Sequence, residues 1–292
     1  MNDLALEQLR TLVAVVDEGS FEAAAAALRI TPSAVSQRIK ALEAATGRVL
    51  VRRTRPVAVT EQGAEVLRLS RQVDLLVREL RPADGDALPL TVPLVVNADS
   101  LATWFLPSVA PVLGRVRIDV QREDEQHSLA RLRDGSTLAA VSADADRVPG
   151  CSVTAIGVMR YRAMASPAFI ERWFADGVTA ATLERAPMVN FDRLDDLQRR
   201  FVRHVARGSR TEPPSHYVAG SDAFRNAVRL GIGWGMLPDL QSADLEAAGE
   251  VREIAERTRT DVKLYWHQYQ LDSPSLAILS EAVSDGAGAW LR

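Results

Sequence analysis

Residues 20–43, SFEAAAAALRITPSAVSQRIKALE, predict two helices joined by a short turn. Ser20 is a favourable N-cap for the alanine-rich helix that follows it, and alanine lets a neighbouring helix approach closely. Thr31 is a good N-cap for the second helix, Pro32 takes its favoured first position, and Gly47 ends it. The stretch is therefore predicted to fold as helix, turn, helix.

The sequence on either side completes a small domain over residues 1–60. Apolar residues recur every three or four positions before the turn and predict a helix with one buried face: Leu6, Leu9, Leu12, Val13 and Val16. Gly19 ends that helix. Beyond the turn, residues 49–60 alternate apolar with basic or polar side chains, a pattern typical of a short two-stranded wing. We expect three helices followed by a two-stranded hairpin.

The second helix of the pair exposes a polar face opposite Val35, Ile39 and Leu42. The residues on this face are Ser33, Ser36, Gln37 and Lys40. Small hydroxyls, an amide and an ammonium suit base edges and phosphates, and an α-helix fits the major groove of DNA. The alternative is an ordinary solvated surface.

The distribution of charge favours DNA over that alternative. Residues 29–55 contain seven basic residues and a single acid, Glu43, so this segment carries +6. The whole chain carries −3, and the remainder therefore carries −9. Three of the basic residues lie in the wing: Arg52, Arg53 and Arg55. A compact basic segment on an acidic body indicates two domains with different partners.

A long helix is predicted over residues 61–82, before a hinge of turn formers at 83–89. Its apolar residues follow steps of three and four: Val66, Leu69, Val73, Leu76 and Leu80. Such a seam is typical of a helix that pairs with another helix, and we expect it to form a dimer. The alternative is a helix packed on its own domain.

Strands and helices alternate over residues 90–292, which predicts an α/β body with a mostly parallel sheet in two lobes. The predicted strands are 90–96, 116–121, 138–142, 161–165, 187–191 and 262–269. The predicted helices are 101–113, 128–134, 194–207, 223–230 and 275–285. We assign about 90–161 and 267–292 to lobe I and about 162–266 to lobe II.

The N-terminal motifs resemble those of LysR-type transcriptional regulators. The resemblance rests on FEAAA at 21–25, TPSAVSQRIKALE at 31–43, Gly47, the Arg52/Arg53 pair and TEQG at 60–63. It implies a winged helix-turn-helix, a dimerisation helix and a two-lobed effector domain similar to periplasmic solute-binding proteins. The DNA-contacting residues that it implies are Ser33, Ser36, Gln37, Arg38, Lys40, Arg53 and Arg55. Many members have an aromatic residue at the position of Val51, and this difference should soften packing under the wing.

The family resemblance also implies partners. Members bind interrupted inverted repeats in double-stranded DNA near a promoter, as dimers or tetramers, and act through RNA polymerase. We therefore expect a homodimer or homotetramer, and neither the operator nor the choice between activation and repression follows from the sequence.

Acidic residues follow several predicted strands. Ligands of open α/β sheets bind at the carboxyl ends of the strands, so these residues are candidates for a binding site. Ser100 and Thr103 begin a predicted helix whose free amides could hold a carboxylate, while Asp99 beside them would repel a simple anion. An amino acid with an extra positive charge suits such a site. The candidate effector residues are Asp99, Ser100, Thr103, Trp104, Glu123, Asp124, Asp192, Ser221 and Asp222. The alternative is that these acids cap helices or lie in solvated loops and that Trp104 is core.

Four longer motifs resemble the branch of the family that responds to lysine and arginine: residues 96–105, 123–125, 191–196 and 264–269. The resemblance implies a regulator that senses lysine, or arginine or histidine, and controls an amino-acid exporter gene. A regulator of arginine metabolism would share this architecture. A cytoplasmic amino-acid-binding protein without a role at DNA is the alternative from another class.

Other classes of protein are disfavoured. The single cysteine, Cys151, cannot form an internal disulfide, and the four histidines are scattered, so we expect no metal site and no cofactor. A Gly-x-Ser-x-Gly motif is absent and no catalytic spacing is evident, so we expect no enzyme and no catalytic residues. The sequence has neither a long apolar run nor a basic N-terminal leader, which predicts a cytoplasmic protein without a membrane segment.

Overall fold

The computed structural model describes residues 4–80, 89–122, 125–207, 211–256 and 258–292, without the side chains of 125–128. The chain forms two compact units. The first consists of Met1–Val96, Val112–Val153 and Trp266–Glu281, and the second of Asn97–Pro111, Thr154–Tyr265 and Ala282–Arg292. The division differs from the predicted lobes, since Asn97–Pro111 and Ala282–Arg292 belong to the second unit.

The first unit begins with the predicted winged helix-turn-helix. Its elements are α1 (Leu6–Asp17), α2 (Phe21–Leu28), α3 (Pro32–Thr46), β1 (Val51–Arg52) and β2 (Ala58–Val59). The Ser20 and Thr31 hydroxyls accept hydrogen bonds from the amides of Ala23 and Ala34, as the caps predict. Leu12, Val35 and other apolar side chains of these helices form one buried core. Each fully buried side chain of this kind contributes about 1.5–3 kcal/mol.

Helix α4 (Glu61–Glu79) follows the wing. Leu67 and Leu75 are its buried apolar residues, whereas Leu69 is 46% and Leu80 is 82% exposed. The dimer seam stays a prediction. Val66 and Val73 are partly buried and pack against the core of the DNA-binding domain. Leu76 is partly buried.

Helix α4 also contacts the α/β part of the first unit. Arg71, with only 14% of its side chain exposed, pairs with Asp17 of α1 and donates a 3.2 Å hydrogen bond to the carbonyl oxygen of Asp134. Gly135 lies so close to α4 that an added Cβ would be 2.7 Å from the Cα of Arg68. The carboxylate of Glu79 accepts a 2.7 Å hydrogen bond from the Ser273 hydroxyl. These contacts join the DNA-binding domain, α4 and the α/β part.

The α/β part of the first unit contains a parallel sheet, as predicted. Strand β3 (Thr91–Val96) pairs in parallel with β4 (Arg117–Arg122) on one side and with β5 (Ala139–Ser142) on the other. Residues 92 and 94–96 of β3 are almost fully buried, as expected for a central strand. Helix α7 (Glu125–Arg133) connects β4 to β5.

The second unit begins immediately after β3 with an irregular helical segment. It comprises α5 (Ala98–Ser100), a π-helical turn at Leu101–Phe105, α6 (Leu106–Val109) and a 3-10 turn at Ala110–Val112. The segment begins at Ala98, three residues before the predicted start, and Asn97 occupies the N-cap position. The amide of Leu101 is consequently bonded to the carbonyl oxygen of Asn97 at 3.0 Å.

The remaining elements are mixed. The strands are β6 (Cys151–Ala165), β7 (Met188–Asn190), β8 (Ser215–Tyr217), β9 (Gly235–Pro238), β10 (Arg252–Glu253) and β11 (Arg259–Tyr269). The helices are α8 (Pro167–Trp173), α9 (Ala180–Arg185), α10 (Leu197–Ala206), α11 (Ser221–Arg229), α12 (Asp239–Ala247) and α13 (Pro274–Trp290). Strands β9 and β10 pair antiparallel to β6, whereas β7 and β8 are parallel.

Several predicted boundaries differ from these elements. Strand β6 extends ten residues before the predicted start at 161, and α8, α9, α12, β8, β9 and β10 were not predicted. The hinge at 83–89 lies almost wholly outside the described residues. Within the described part of the chain, no helix is long and apolar enough to span a membrane.

Candidate functional site

The predicted DNA-binding face lies on α3. Ser33, Gln37 and Lys40 are exposed, and Ser36 and Arg38 are partly buried on the same helix. Val35, Ile39 and Leu42 are buried on the other side, so the helix is held by its apolar face while the polar residues face solvent. The polar face of α3 is thus open to solvent, which a helix that enters a major groove requires.

The wing presents its arginines beside α2. Arg52, Arg53 and Arg55 are exposed. The Arg53 guanidinium lies 5.1 Å from the centroid of the Phe21 ring, and this cation–π contact holds it near the start of α2. Val51 is 6% exposed and belongs to the buried core of the DNA-binding domain.

The single acid of the basic segment is occupied within the domain. The Glu43 carboxylate accepts a 2.9 Å hydrogen bond from the amide of Leu50, at the start of the wing. Its charge is used to fix the chain between α3 and β1. The sequence did not indicate this role. Because Glu43 is hydrogen-bonded within the domain, the neighbouring arginines are the dominant charges of the face.

Asp99 is the centre of a polar cluster in the second unit. Its carboxylate accepts hydrogen bonds from the hydroxyl of Tyr161 at 2.7 Å and from the hydroxyl of Ser221. The side chain of Gln241 in turn donates a 2.6 Å hydrogen bond to the Ser221 oxygen. Thr103 is tied to the same turn, since its hydroxyl donates to the carbonyl oxygen of Asp99.

The environment of Asp99 disfavours its charge. Burial raises the pKa of this carboxyl above its ordinary value of 3.8, and the hydroxyls of Ser221 and Tyr161 only partly offset that effect. In the part of the chain that the structure describes, no cationic side chain pairs with it. The residue nevertheless keeps some exposed surface. A cationic group of a ligand would therefore stabilise the ionised carboxylate.

A second carboxyl with a raised pKa belongs to Asp195. Burial is the main cause, and the negative charges of Asp192 and Asp99 act in the same direction. Asp195 accepts hydrogen bonds from the amides of Phe191 and Leu197, and Asp192 accepts from the amide of Leu194. Asp192 therefore stabilises the turn before α10, while Asp195 and Asp99 are close enough to interact electrostatically.

The structure also describes three other predicted effector residues: Ser100, Trp104 and Asp222. Ser100 is fully buried, and its hydroxyl has no partner among the described residues. Trp104 is also fully buried and packs edge-to-face on Phe105, as a core tryptophan does. Asp222 is exposed in the first turn of α11. Glu123 and Asp124 lie outside the described residues. The effector assignment of each remains a prediction.

Three residues of the cluster were not among the predicted ones. Tyr161 was predicted only as the start of a strand, and Asp195 lay within a quoted motif without a role of its own. Gln241 carried no signal, because it lies on α12, a helix that the sequence did not predict. Together with Asp99 and Ser221 they provide two carboxyls and two hydroxyls that could bind a polycationic ligand.

Comparison with known proteins gives matches over both parts of the chain. Residues 6–64 match the model of the bacterial regulatory helix-turn-helix protein, lysR family, and residues 94–288 match the LysR substrate binding domain. The chain is 44% identical over 297 residues to the lysine export transcriptional regulatory protein LysG of Corynebacterium efficiens, with each protein covered over 100% of its length.

Two solved structures are similar over almost the whole chain. ArgP from Mycobacterium tuberculosis is 42% identical, with 98% of each chain covered and a TM-score of 0.90. Full-length LysG from Corynebacterium glutamicum, with the effector Arg bound, is 39% identical, with 99% of each chain covered and a TM-score of 0.82. The similarity thus includes the winged helix-turn-helix and the α/β part alike.

Proposed function

The chain belongs to the LysR family of bacterial transcriptional regulators, and from this membership we propose that it senses a basic amino acid at Asp99 and controls an amino-acid exporter gene. The observation that carries the proposal is the Asp99 carboxylate. It is desolvated, it accepts hydrogen bonds from two hydroxyls, and no protein cation neutralises it within the described residues.

The charges of the cluster favour lysine or arginine as the effector. Each carries two cationic groups at neutral pH, and Asp99 and Asp195 offer two carboxyls whose charge is otherwise unfavourable. Histidine fits less well, because its imidazole is mostly neutral at that pH. The C. glutamicum relative holds Arg as its effector, which supports the same class of ligand here.

The regulated gene is inferred from the relatives. The C. efficiens relative is named for lysine export, which supports an exporter as the target. The similarity to ArgP supports the alternative of a gene of arginine metabolism. Both targets require the same sensing chemistry.

The proposed mechanism links the ligand to DNA through the shape of the protein. The polar face of α3 and the wing arginines bind an interrupted inverted repeat in the cytoplasm. The apolar seam on and directly after α4 joins two copies, and the assembly is a dimer or a tetramer; the seam comprises Val66, Leu69, Val73, Leu76 and Leu80. The effector must bind one arrangement more tightly than another, and it thereby changes the spacing of the DNA-binding domains or their contact with RNA polymerase.

Calorimetry with Asp99→Asn tests the sensing step. We expect lysine or arginine to bind the wild-type protein, and the variant to bind at least about tenfold more weakly, because a hydrogen bond to a charged group contributes about 1.5–3 kcal/mol. Asp176→Asn is the matched control, since Asp176 is an exposed carboxylate of the same unit without an ion pair among the described residues. Equal binding by both variants would contradict the proposed role of Asp99.

A gel-shift or transcription assay tests the regulatory step, with the promoter region of the gene that encodes this chain as the DNA. We expect the amino acid that binds in calorimetry to alter the complex with DNA or the amount of transcript, and Asp99→Asn to remove that response while still binding DNA. An amino-acid-binding protein without a role at DNA would bind the ligand and leave both readouts unchanged.

A further inference from the structure

A groove of about 450 Å³ lies in the second unit between α10 and the β7–β8 pair. Its sheet wall comes from alternate positions of the paired strands, where Met188 lies opposite Ser215 and Asn190 opposite Tyr217. Its helix wall comes from residues 199, 202 and 203 of α10, which share one face of that helix. The volume is within the range of about 300–1,000 Å³ that small-molecule sites occupy.

Asn190 marks this groove as more than a surface depression. Only 3% of the residue is exposed, and it lines the groove. Its side-chain amide makes no hydrogen bond to any residue that the structure describes. Its amide atoms keep contact with the open space of the groove, where a bound molecule would supply both an acceptor and a donor.

The charges around Asn190 are of both signs. The guanidinium of Arg199 donates to the carbonyl oxygens of residues 193 and 195 at 3.0 and 2.9 Å and lies 3.6 Å from the Asp196 carboxylate, so it is already oriented. Arg203 lies one helical turn further and is paired with Asp196 at 3.0 Å. Two carboxylates line the groove: Asp192, which accepts hydrogen bonds from the amides of Leu194 and Asp195, and Glu212, which is exposed and has no ion pair among the described residues. Guanidinium groups bind carboxylates, and Glu212 can accept hydrogen bonds from an ammonium group.

Apolar side chains complete the lining. Met188, Val202 and Pro213 are buried residues of the wall. We propose that the groove is a second ligand site that binds an α-amino acid with an apolar side chain. The carboxylate of the ligand pairs with Arg199 and Arg203, its ammonium group with Glu212, and its side chain packs on the apolar wall, while Asn190 completes the hydrogen bonds.

This site differs in chemistry from the Asp99 cluster. The Asp99 cluster offers carboxyls and hydroxyls and favours a ligand with extra positive charge, whereas the groove combines Arg199 and Arg203 with the carboxylates of Asp192 and Glu212. The two ligands are therefore distinguishable, and binding in the groove does not depend on the proposed sensing of a basic amino acid.

Calorimetry of the full chain with leucine, methionine and phenylalanine tests the proposal. We expect at least one of them to bind. If that ligand is leucine, 4-methylpentanoate and isoamylamine should bind much more weakly, because each lacks one of the two charged groups. The Asp99→Asn protein should bind leucine as the wild type does. Absence of binding by all three amino acids would overturn the proposal, as would loss of leucine binding in Asp99→Asn.

Two arginine variants locate the site. Arg203→Gln should weaken binding of the apolar amino acid by at least about tenfold, since it removes a charged partner of the carboxylate. Arg200→Gln is the matched control, because Arg200 is also exposed on α10 and paired with Asp196 but does not line the groove. Circular dichroism confirms that both variants are folded. Equal weakening by the two variants would place the ligand elsewhere and refute the assignment.

Discussion

Replacing Gly135 by alanine tests the docking of α4 on the α/β part of the first unit. Gly135 has a φ of +74°, in the left-handed region where alanine is disfavoured by about 1–2 kcal/mol. The new Cβ would also lie 2.7 Å from the Cα of Arg68 and 3.1 Å from its Cβ. The Cα is a backbone atom that cannot rotate away, and such overpacking typically costs about 1–3 kcal/mol.

The two effects together predict a loss of about 2–5 kcal/mol in the free energy of unfolding. Gly47→Ala separates them, because Gly47 has a similar φ of +67° but an added Cβ meets nothing within 4 Å. That control should lose only the conformational part, about 1–2 kcal/mol. Urea unfolding followed by circular dichroism measures both variants.

Hydrogen exchange tells where the strain is relieved. If α4 is displaced rather than the unit unfolded, the amides of α4 should exchange faster in Gly135→Ala than in Gly47→Ala. Equal destabilisation of the two variants, with unchanged exchange in α4, would refute the close approach described between Gly135 and Arg68.

Three further predictions concern DNA, assembly and pH. Lys40→Ala should weaken binding to all DNA sequences and reduce the slope of log affinity against log salt concentration by about one, whereas Gln37→Ala should lower the preference for the operator by about 1–3 kcal/mol. Gel shifts at several salt concentrations measure both quantities, and an unchanged slope together with an unchanged preference would contradict the predictions. Glu in place of Leu69 and Leu76 should dissociate the dimer in sedimentation, and dimers that persist would exclude α4 as the interface. Because burial raises the pKa of Asp99, its ionisation destabilises the folded state. Asp99→Asn without ligand should therefore melt at a higher temperature than wild type at pH 7, with the difference narrowing as the pH falls towards 3.8; a constant difference would contradict the pKa shift.

The DNA-binding domain could be predicted because its signals are local. Ser20, Thr31 and Gly47 mark helix ends within one turn of the residues they affect, and the structure reproduces these boundaries. The repeat in α4 predicts a dimer seam that includes Val66 and Val73, but a repeat in sequence does not tell which neighbours a side chain packs against, and both valines are partly buried against the core of the DNA-binding domain. That choice depends on the neighbouring helices, which belong to the tertiary structure.

The α/β part was predicted less completely because its decisive contacts are distant. Asp99 and Ser221 could be grouped from their positions at the ends of elements, although 122 residues separate them. Gln241 could not, since it reaches Asp99 only through Ser221. The start of the helical segment at Ala98 was also missed: Asp99 and Ser100 are typical capping residues, yet Asn97 takes the cap position without a side-chain hydrogen bond.

The attachment of α4 through Arg71 and Glu79 limits how chimeras of this protein can be built. A DNA-binding domain grafted from a relative with its own α4 would have to supply partners for the Asp134 carbonyl oxygen and the Ser273 hydroxyl. A chimera joined directly after α4 therefore divides a single packed unit, although that position lies between the two segments of the chain that match family models. A functional exchange should therefore transfer the DNA-binding domain and α4 together with the surface of the α/β part that α4 contacts.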